Sequence, residues 1–132
     1  MYMLDTNICI YLIKQQPESV RKKFESLAIG DVSMSLITYG ELKYGALRSN
    51  NSSKAIAVLD QLTSYIPVLS MHQDVALEYA EIRADLASRG TPIGNNDLWI
   101  AAHARSSRHT LVTNNLKEFK RVTGLEVENW VG

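Results

Sequence analysis

Residues 2–7 read Tyr2-Met3-Leu4-Asp5-Thr6-Asn7, a brief apolar run that ends on a carboxylate. A run this short between polar residues reads as the start of a buried strand. Similar runs recur along the chain. Val32 to Ile37 reads as a second strand, and Thr110-Leu111-Val112-Thr113 as another. Ile66 to Leu69 contains Pro67, which cannot donate to a sheet ladder, so it is at most an edge strand or an extended connector. Leu125 to Trp130 is expected to be the last strand.

Helical patterns fill the intervals. Val20, Phe24 and Leu27 recur at spacings of four and three, and Leu42, Gly45 and Ala46 form a flat face suited to close packing. Val58, Leu62 and Tyr65 mark a further helix that Ser52 and Ser53 can cap. The firmest pattern runs from about Gln73 to Arg89. Ser70 and Gln73 have capping-box spacing, Val75, Tyr79, Ile82 and Leu86 form a stripe, and Gly90 supplies the stop. After a loop at Thr91-Pro92-Ile93-Gly94, a helix opens near Asn96-Asp97 with Ile100, Ala101 and Ala104 inward, and Asn115 to Val122 reads as a short helix. Apolar strands repeatedly followed by helices specify an α/β protein, its mainly parallel sheet covered on both faces in three α/β/α layers. No internal repeat or linker interrupts the pattern, so residues 1–132 read as a single domain.

The 132 residues carry 14 Lys+Arg against 14 Asp+Glu, with 45% hydrophobic and 21% charged residues. That composition excludes a disordered tail, a collagen-like fibre and a disulfide scaffold. Zero net charge means that a polyanion must be held by a local patch or through a metal ion. Cys9 is the only cysteine, which points to a reducing compartment and to a small buried hydrophobe. No apolar run approaches bilayer-spanning length, and a soluble cytoplasmic protein is expected.

Ligands of open parallel sheets bind beyond the carboxyl ends of the strands. Asp5 directly follows the first strand, Glu41 lies just past the second, Asp97 opens the helix after the Pro92–Gly94 loop, and Glu118 follows the Thr110–Thr113 run. Each has an ordinary helix-end role available. Asp5 can be an N-cap, Thr38-Tyr39-Gly40-Glu41 matches a capping box, Asp97 can complement a helix dipole, and Asn115 with Glu118 fits the same capping logic. Gathered together, the four would raise one another's pKa unless a cation offset the repulsion. Such hard oxygen ligands suit Mg²⁺ or Mn²⁺.

Four segments carry a family resemblance: Met3-Leu4-Asp5-Thr6-Asn7; Thr38-Tyr39-Gly40-Glu41-Leu42 with Tyr44-Gly45-Ala46; Pro92-Ile93-Gly94-Asn95-Asn96-Asp97-Leu98-Trp99-Ile100-Ala101; and Val112-Thr113-Asn114-Asn115 with Glu118-Phe119. Together they resemble the PIN-domain ribonucleases and, within them, the VapC toxins of bacterial toxin–antitoxin pairs. The resemblance spans essentially the whole chain. It implies an acidic pocket that binds Mg²⁺ or Mn²⁺ and cuts RNA, leaving 5′-phosphate and 3′-hydroxyl ends.

Asp5, Glu41 and Asp97 match the family's three most typical acids. The family's fourth aspartate is replaced here by Asn115, two residues after Thr113, which can ligate or hold a water but supplies no charge. Glu118 is the alternative for that place, so one or two metal ions remain open. Thr6 and Asn7 match polar residues beside the first aspartate that orient a carboxylate or bind a phosphate oxygen. The resemblance further implies inhibition of translation by cleavage of structured RNA such as the anticodon loop of initiator tRNA, a homodimer, and a VapB-type antitoxin that inserts Arg or Lys into the pocket.

Candidates for phosphate contacts are Arg21-Lys22-Lys23, Lys43, Arg48, Lys54 and Lys117-Lys120-Arg121. Tyr11, Tyr44 and Trp99 could stack on bases, although core packing is the expected role of Tyr44 and Trp99. His72, His103 and His109 have no zinc-ligand spacing and are expected to be surface or partly buried polar residues. Two other readings compete. A phosphoaspartate receiver or phosphatase lacks its paired acid in Asp5-Thr6-Asn7, and a non-catalytic RNA-binding or regulatory module is compatible with Asn115.

Overall fold

The computed structural model describes residues 1–132. Five strands, β1 (Tyr2–Leu4), β2 (Val32–Ser35), β3 (Val68–Leu69), β4 (Thr110–Val112) and β5 (Val127–Glu128), form one sheet in the order β3-β2-β1-β4-β5. Every neighbouring pair is parallel, with Leu4 beside both Met34 and Val112. Seven helices alternate with the strands: α1 (Thr6–Lys14), α2 (Glu18–Glu25), α3 (Leu36–Leu47), α4 (Ser52–Tyr65), α5 (Asp74–Ser88), α6 (Asn95–Ser107) and α7 (Leu116–Phe119).

The pleat divides the core between two faces, because successive side chains of a strand point in opposite directions. Met3 and Leu111 pack with Val75, Ile82 and Leu86 of α5, with Ala101, Ala102 and Ala104 of α6, and with Phe119 of α7. Their neighbours Leu4 and Val112 join Met34, Ile8 and Cys9 of α1, Val20 of α2, Leu42 of α3 and Leu59 of α4 on the opposite face. These are the expected three layers. No helix is long and apolar enough to cross a membrane.

Several element ends differ from the sequence expectation, each for a local reason. The second strand stops at Ser35 rather than Ile37, because the Ser35 hydroxyl accepts from the Ile37 amide and starts α3 there. Thr38 to Glu41 is therefore helix interior and not a capping box. Asn51, not Ser52 or Ser53, caps α4 by accepting from the Lys54 amide. The capping box of Ser70 and Gln73 does not form, and the Asp74 amide donates instead to His72 Nδ1. Gly90 takes the left-handed conformation after α5, φ +66°, as its role of stop requires. The short helix and the last strand shrink to Leu116–Phe119 and Val127–Glu128. Helix α1 has no periodic signal of its own. It forms because Asp5 caps it, accepting from the Ile8 amide at 3.0 Å.

Candidate active site

The chain order places a crevice at one point of the sheet. β2 and β3 lie on one side of β1, whereas β4 and β5 lie on the other, so the direction of winding reverses between β1 and β4. Asp5 stands at that reversal, its amide donating to the Val112 carbonyl at 3.0 Å. It is the only acidic residue among the buried ones, at 5% exposure. Burial raises its pKa, and the Thr113 hydroxyl and the Ile8 amide oppose that rise by hydrogen bonding to the carboxylate.

The other acids arrive from three helices. Thr6 Oγ1 donates to Glu41 Oε1 at 2.5 Å and lies 3.3 Å from Thr38 Oγ1, while Asn96 Nδ2 donates to Glu41 Oε2 at 3.3 Å. Asp97, in the first turn of α6, is half-buried. Its pKa is pushed up to about 6, first by burial and then by the charges of Asp5, Glu118 and Glu41. Asn115 Nδ2 donates to Glu118 Oε2 at 2.8 Å, and the Asn115 amide donates to Thr113 Oγ1 at 2.9 Å. Asn115 thus holds Glu118, whose charge acts on Asp97. The backbone of Asn7 assists Asp5, and the Asn7 side chain is exposed.

Asp5, Glu41 and Glu118 lie close enough to act on Asp97 by charge, and none of the four sequence-predicted acids is paired with Lys, Arg or His. Glu41 is bonded to Thr6 and Asn96, and Glu118 to Asn115, and no three acids close into a finished metal-ligand shell. The donor set is nevertheless uniformly hard oxygen, and a divalent cation bound there would relieve its uncompensated repulsion. Asp5 and Asp97, with Glu41, are the residues able to hold one.

Two hollows meet at Glu41. An open cavity of about 580 Å³ is lined by Leu36, Ile37, Gly40, Glu41, Tyr44 and Asn96. A groove of about 460 Å³ between α1, α3 and α4 presents Ile10, Ile13, Leu42 and Val58 and also ends on Glu41.

Several supporting residues fall elsewhere than expected. Tyr44 is 62% exposed rather than core, with Arg48 over its ring, and Trp99 is half-buried and stacked on Tyr79 with centroids 3.8 Å apart. His103 is buried and not at the surface. Arg21 and Lys22 lie beside Glu18, which leaves Lys43 and Arg48 on α3 as the basic candidates on the helix that carries Glu41. Sequence reasoning gave Thr38 only a capping role and gave none to Ser35 or the side chain of Asn96. The signal for the first two was a polar side chain at a position that a strand or helix buries.

The model of the PIN domain matches residues 2–125. Ribonuclease VapC1 of Haemophilus influenzae (strain R2866) is 44% identical over 131 residues, covering 98% of both chains. The tRNA(fMet)-specific endonuclease VapC of Shigella flexneri is 46% identical over 129 residues, covering 98% of this chain and 97% of that protein. Among solved structures, VapBC2 from Rickettsia felis bound to a promoter DNA fragment superposes with a TM-score of 0.92 at 42% identity, covering 98% of each chain. Agreement in sequence and in fold leads to one conclusion: the chain belongs to the PIN-domain family, in its VapC ribonuclease group.

Proposed function

We propose that this chain is an endoribonuclease toxin of a toxin–antitoxin pair, hydrolysing phosphodiester bonds in structured RNA with the help of Mg²⁺ or Mn²⁺. The observation that carries the reading is the pocket of four unneutralised carboxylates at the β1/β4 reversal. Such a pocket repels RNA on its own. When bound, a divalent ion supplies charge neutralisation for the phosphodiester and acidifies the attacking water.

The chain's own residues prepare for that. The Ile8 amide and the Thr113 hydroxyl fix the direction of the Asp5 carboxylate, and Thr6 and Asn96 fix that of Glu41. Asp97 would hold the ion in its ionised form, and Asn115 holds Glu118, whose charge acts on Asp97. Glu118, in preference to Asn115, supplies charge at the fourth place. Because water is the nucleophile, the RNA 2′-hydroxyl takes no part, and the products carry 5′-phosphate and 3′-hydroxyl ends.

The substrate proposed is tRNA, with the anticodon loop of initiator tRNA first, in keeping with the tRNA(fMet)-specific relative. Cutting it inhibits translation. The proposed partner is a VapB-type antitoxin: an apolar segment fits the groove of Ile10, Ile13, Leu42 and Val58, and a basic side chain at its end reaches Glu41. Pairing of two toxin chains as a homodimer is part of the same reading. The deciding experiment is cleavage of end-labelled initiator tRNA with Mg²⁺ or Mn²⁺, beside Asp97→Ala. Cleavage by the parent alone supports the reading. Intact RNA in both, as a non-catalytic module would leave it, or equal cleavage by both, overturns it.

A further inference from the structure

One buried polar pair takes no part in the acidic pocket. His103 Nδ1 lies 2.8 Å from Ser35 Oγ, and both residues are buried, at 2% and 0% exposure. Ser35 Oγ already accepts the Ile37 amide at 3.1 Å, so its hydroxyl proton is free to be donated to the ring. The Ser70 backbone also meets the ring and favours its protonated form, the mark of a carbonyl acceptor. With the Ser35 hydroxyl donating to Nδ1, the ring proton is assigned to Nε2, an assignment that the experiment below tests, and burial lowers the ring's pKa.

The pair joins the two helices that carry the pocket. His103 and Asp97 share α6, six residues apart, while Ser35 caps α3, which carries Glu41 in its second turn. Only two side-chain hydrogen bonds run directly between these helices and their caps, Asn96 to Glu41 and His103 to Ser35. Helix α3 contains Gly40 and Gly45, neither in contact with surrounding atoms at the place of a Cβ, so it is intrinsically loose and depends on its ends being held.

We propose that His103 is a positioning residue for RNA cleavage: through Ser35 it fixes the first turn of α3 against α6 and sets the separation of Glu41 from Asp97. The inference rests on the nuclease reading above. The test compares kcat and KM on initiator tRNA for the parent, His103→Asn, His103→Gln and Ser35→Ala, all well below their melting temperatures. Asn places an oxygen where Nδ1 stood and keeps the Ser35 hydroxyl engaged, whereas Gln reaches toward Ser70 and abandons it. Expected is a fall in kcat of at least about tenfold with KM unchanged for His103→Gln and Ser35→Ala, and near-parental kcat for His103→Asn, since small misplacements of reacting groups are costly.

Unchanged kcat in Ser35→Ala, or equal losses in all three variants that follow their melting temperatures, overturns the proposal. Nitrogen NMR of the unmodified protein gives a check that no folding defect can blur. A ring bearing its proton on Nδ1 overturns the proposal, and a bare Nδ1 supports it. A parent chain that leaves RNA intact overturns the nuclease reading and this role with it, whereas an active parent with insensitive variants overturns only this role.

Discussion

Two groups of acids in the molecule are treated in opposite ways. On α5, Glu78 and Glu81 share Arg105 of α6, whose Nε donates to Glu78 at 2.5 Å, and Asp85 holds Arg89 at 2.7 Å. At the β1/β4 reversal, Asp5, Glu41, Asp97 and Glu118 have only hydroxyl and amide donors and one another's charges. The α5 acids are paired within the chain, and the pocket acids are not. Charge that a fold could neutralise but does not is a stronger mark of function than the presence of acids.

The largest effect expected from this contrast lies in activity. Asp5→Ala and Asp97→Ala should each lower kcat by about a thousandfold or more, because several kcal/mol of charge stabilisation at the phosphodiester are lost. Arg105→Ala, in the paired group, should leave kcat unchanged in folded protein. A single-turnover assay on labelled RNA reads both. Comparable loss from Arg105→Ala would erase the distinction between the two regions.

Stability should show the reverse. Arg105 is 19% exposed in its side chain, bonds Glu78 and Glu81, and donates to the Thr123 carbonyl at 2.9 Å. Its removal strands the partly buried Glu78, at a cost of about 2 kcal/mol, between the values for surface and fully buried pairs. Urea denaturation of Arg105→Ala measures this directly, with a lower midpoint and an unchanged slope expected.

Asp97 gives a smaller effect of opposite sign. Its folded pKa of about 6 stands above the ordinary 3.8, so between those values the native state binds more protons than the unfolded state. Metal-free stability therefore falls as pH rises through that window, and the penalty is complete above it. Asp97→Asn should flatten this slope and raise the metal-free melting temperature at pH 7.5. Added Mg²⁺ should raise the melting temperature of the parent more than that of the variant. A parent that melts higher at pH 7.5 than at pH 5 through this site, with a variant that shows the same slope, would contradict the assignment.

Much of this pocket was legible in the sequence because strand ends are local events. Asp5 follows Leu4 at once, and Asp97 follows the Pro92–Gly94 loop, so an acid in either place is visible as a strand-end or helix-start carboxylate before any packing is known. Helix caps were less legible. Ser35, Asn51 and His72 act where Ile37, Ser52 and Ser70 with Gln73 were expected to mark the boundary, since several short polar residues stand near each helix start and tertiary packing selects among them. Long-range polar pairs were not legible at all. Nothing in the spacing of His103 and Ser35, 68 residues apart, announces that their rings and hydroxyls meet, and the same holds for Asn96 and Glu41.

The smallest effect belongs to ion pairs that are merely near each other. Glu25 lies 3.8 Å from Arg21 on α2, and their side chains are 60% and 43% exposed. Water screens such a pair and holding two long side chains costs entropy, so Glu25→Gln should change stability by less than about 0.5 kcal/mol in either direction. Glu25 also stands at the last turn of its helix, where a negative charge meets the negative end of the dipole, which pushes the net effect toward zero. Matched urea curves for the parent and Glu25→Gln would check it. A loss approaching that of Arg105→Ala would mean that pairing alone, irrespective of burial, stabilises this protein, and the contrast between its two groups of acids would then have to be drawn from solvent exposure at the pocket instead of from missing cations.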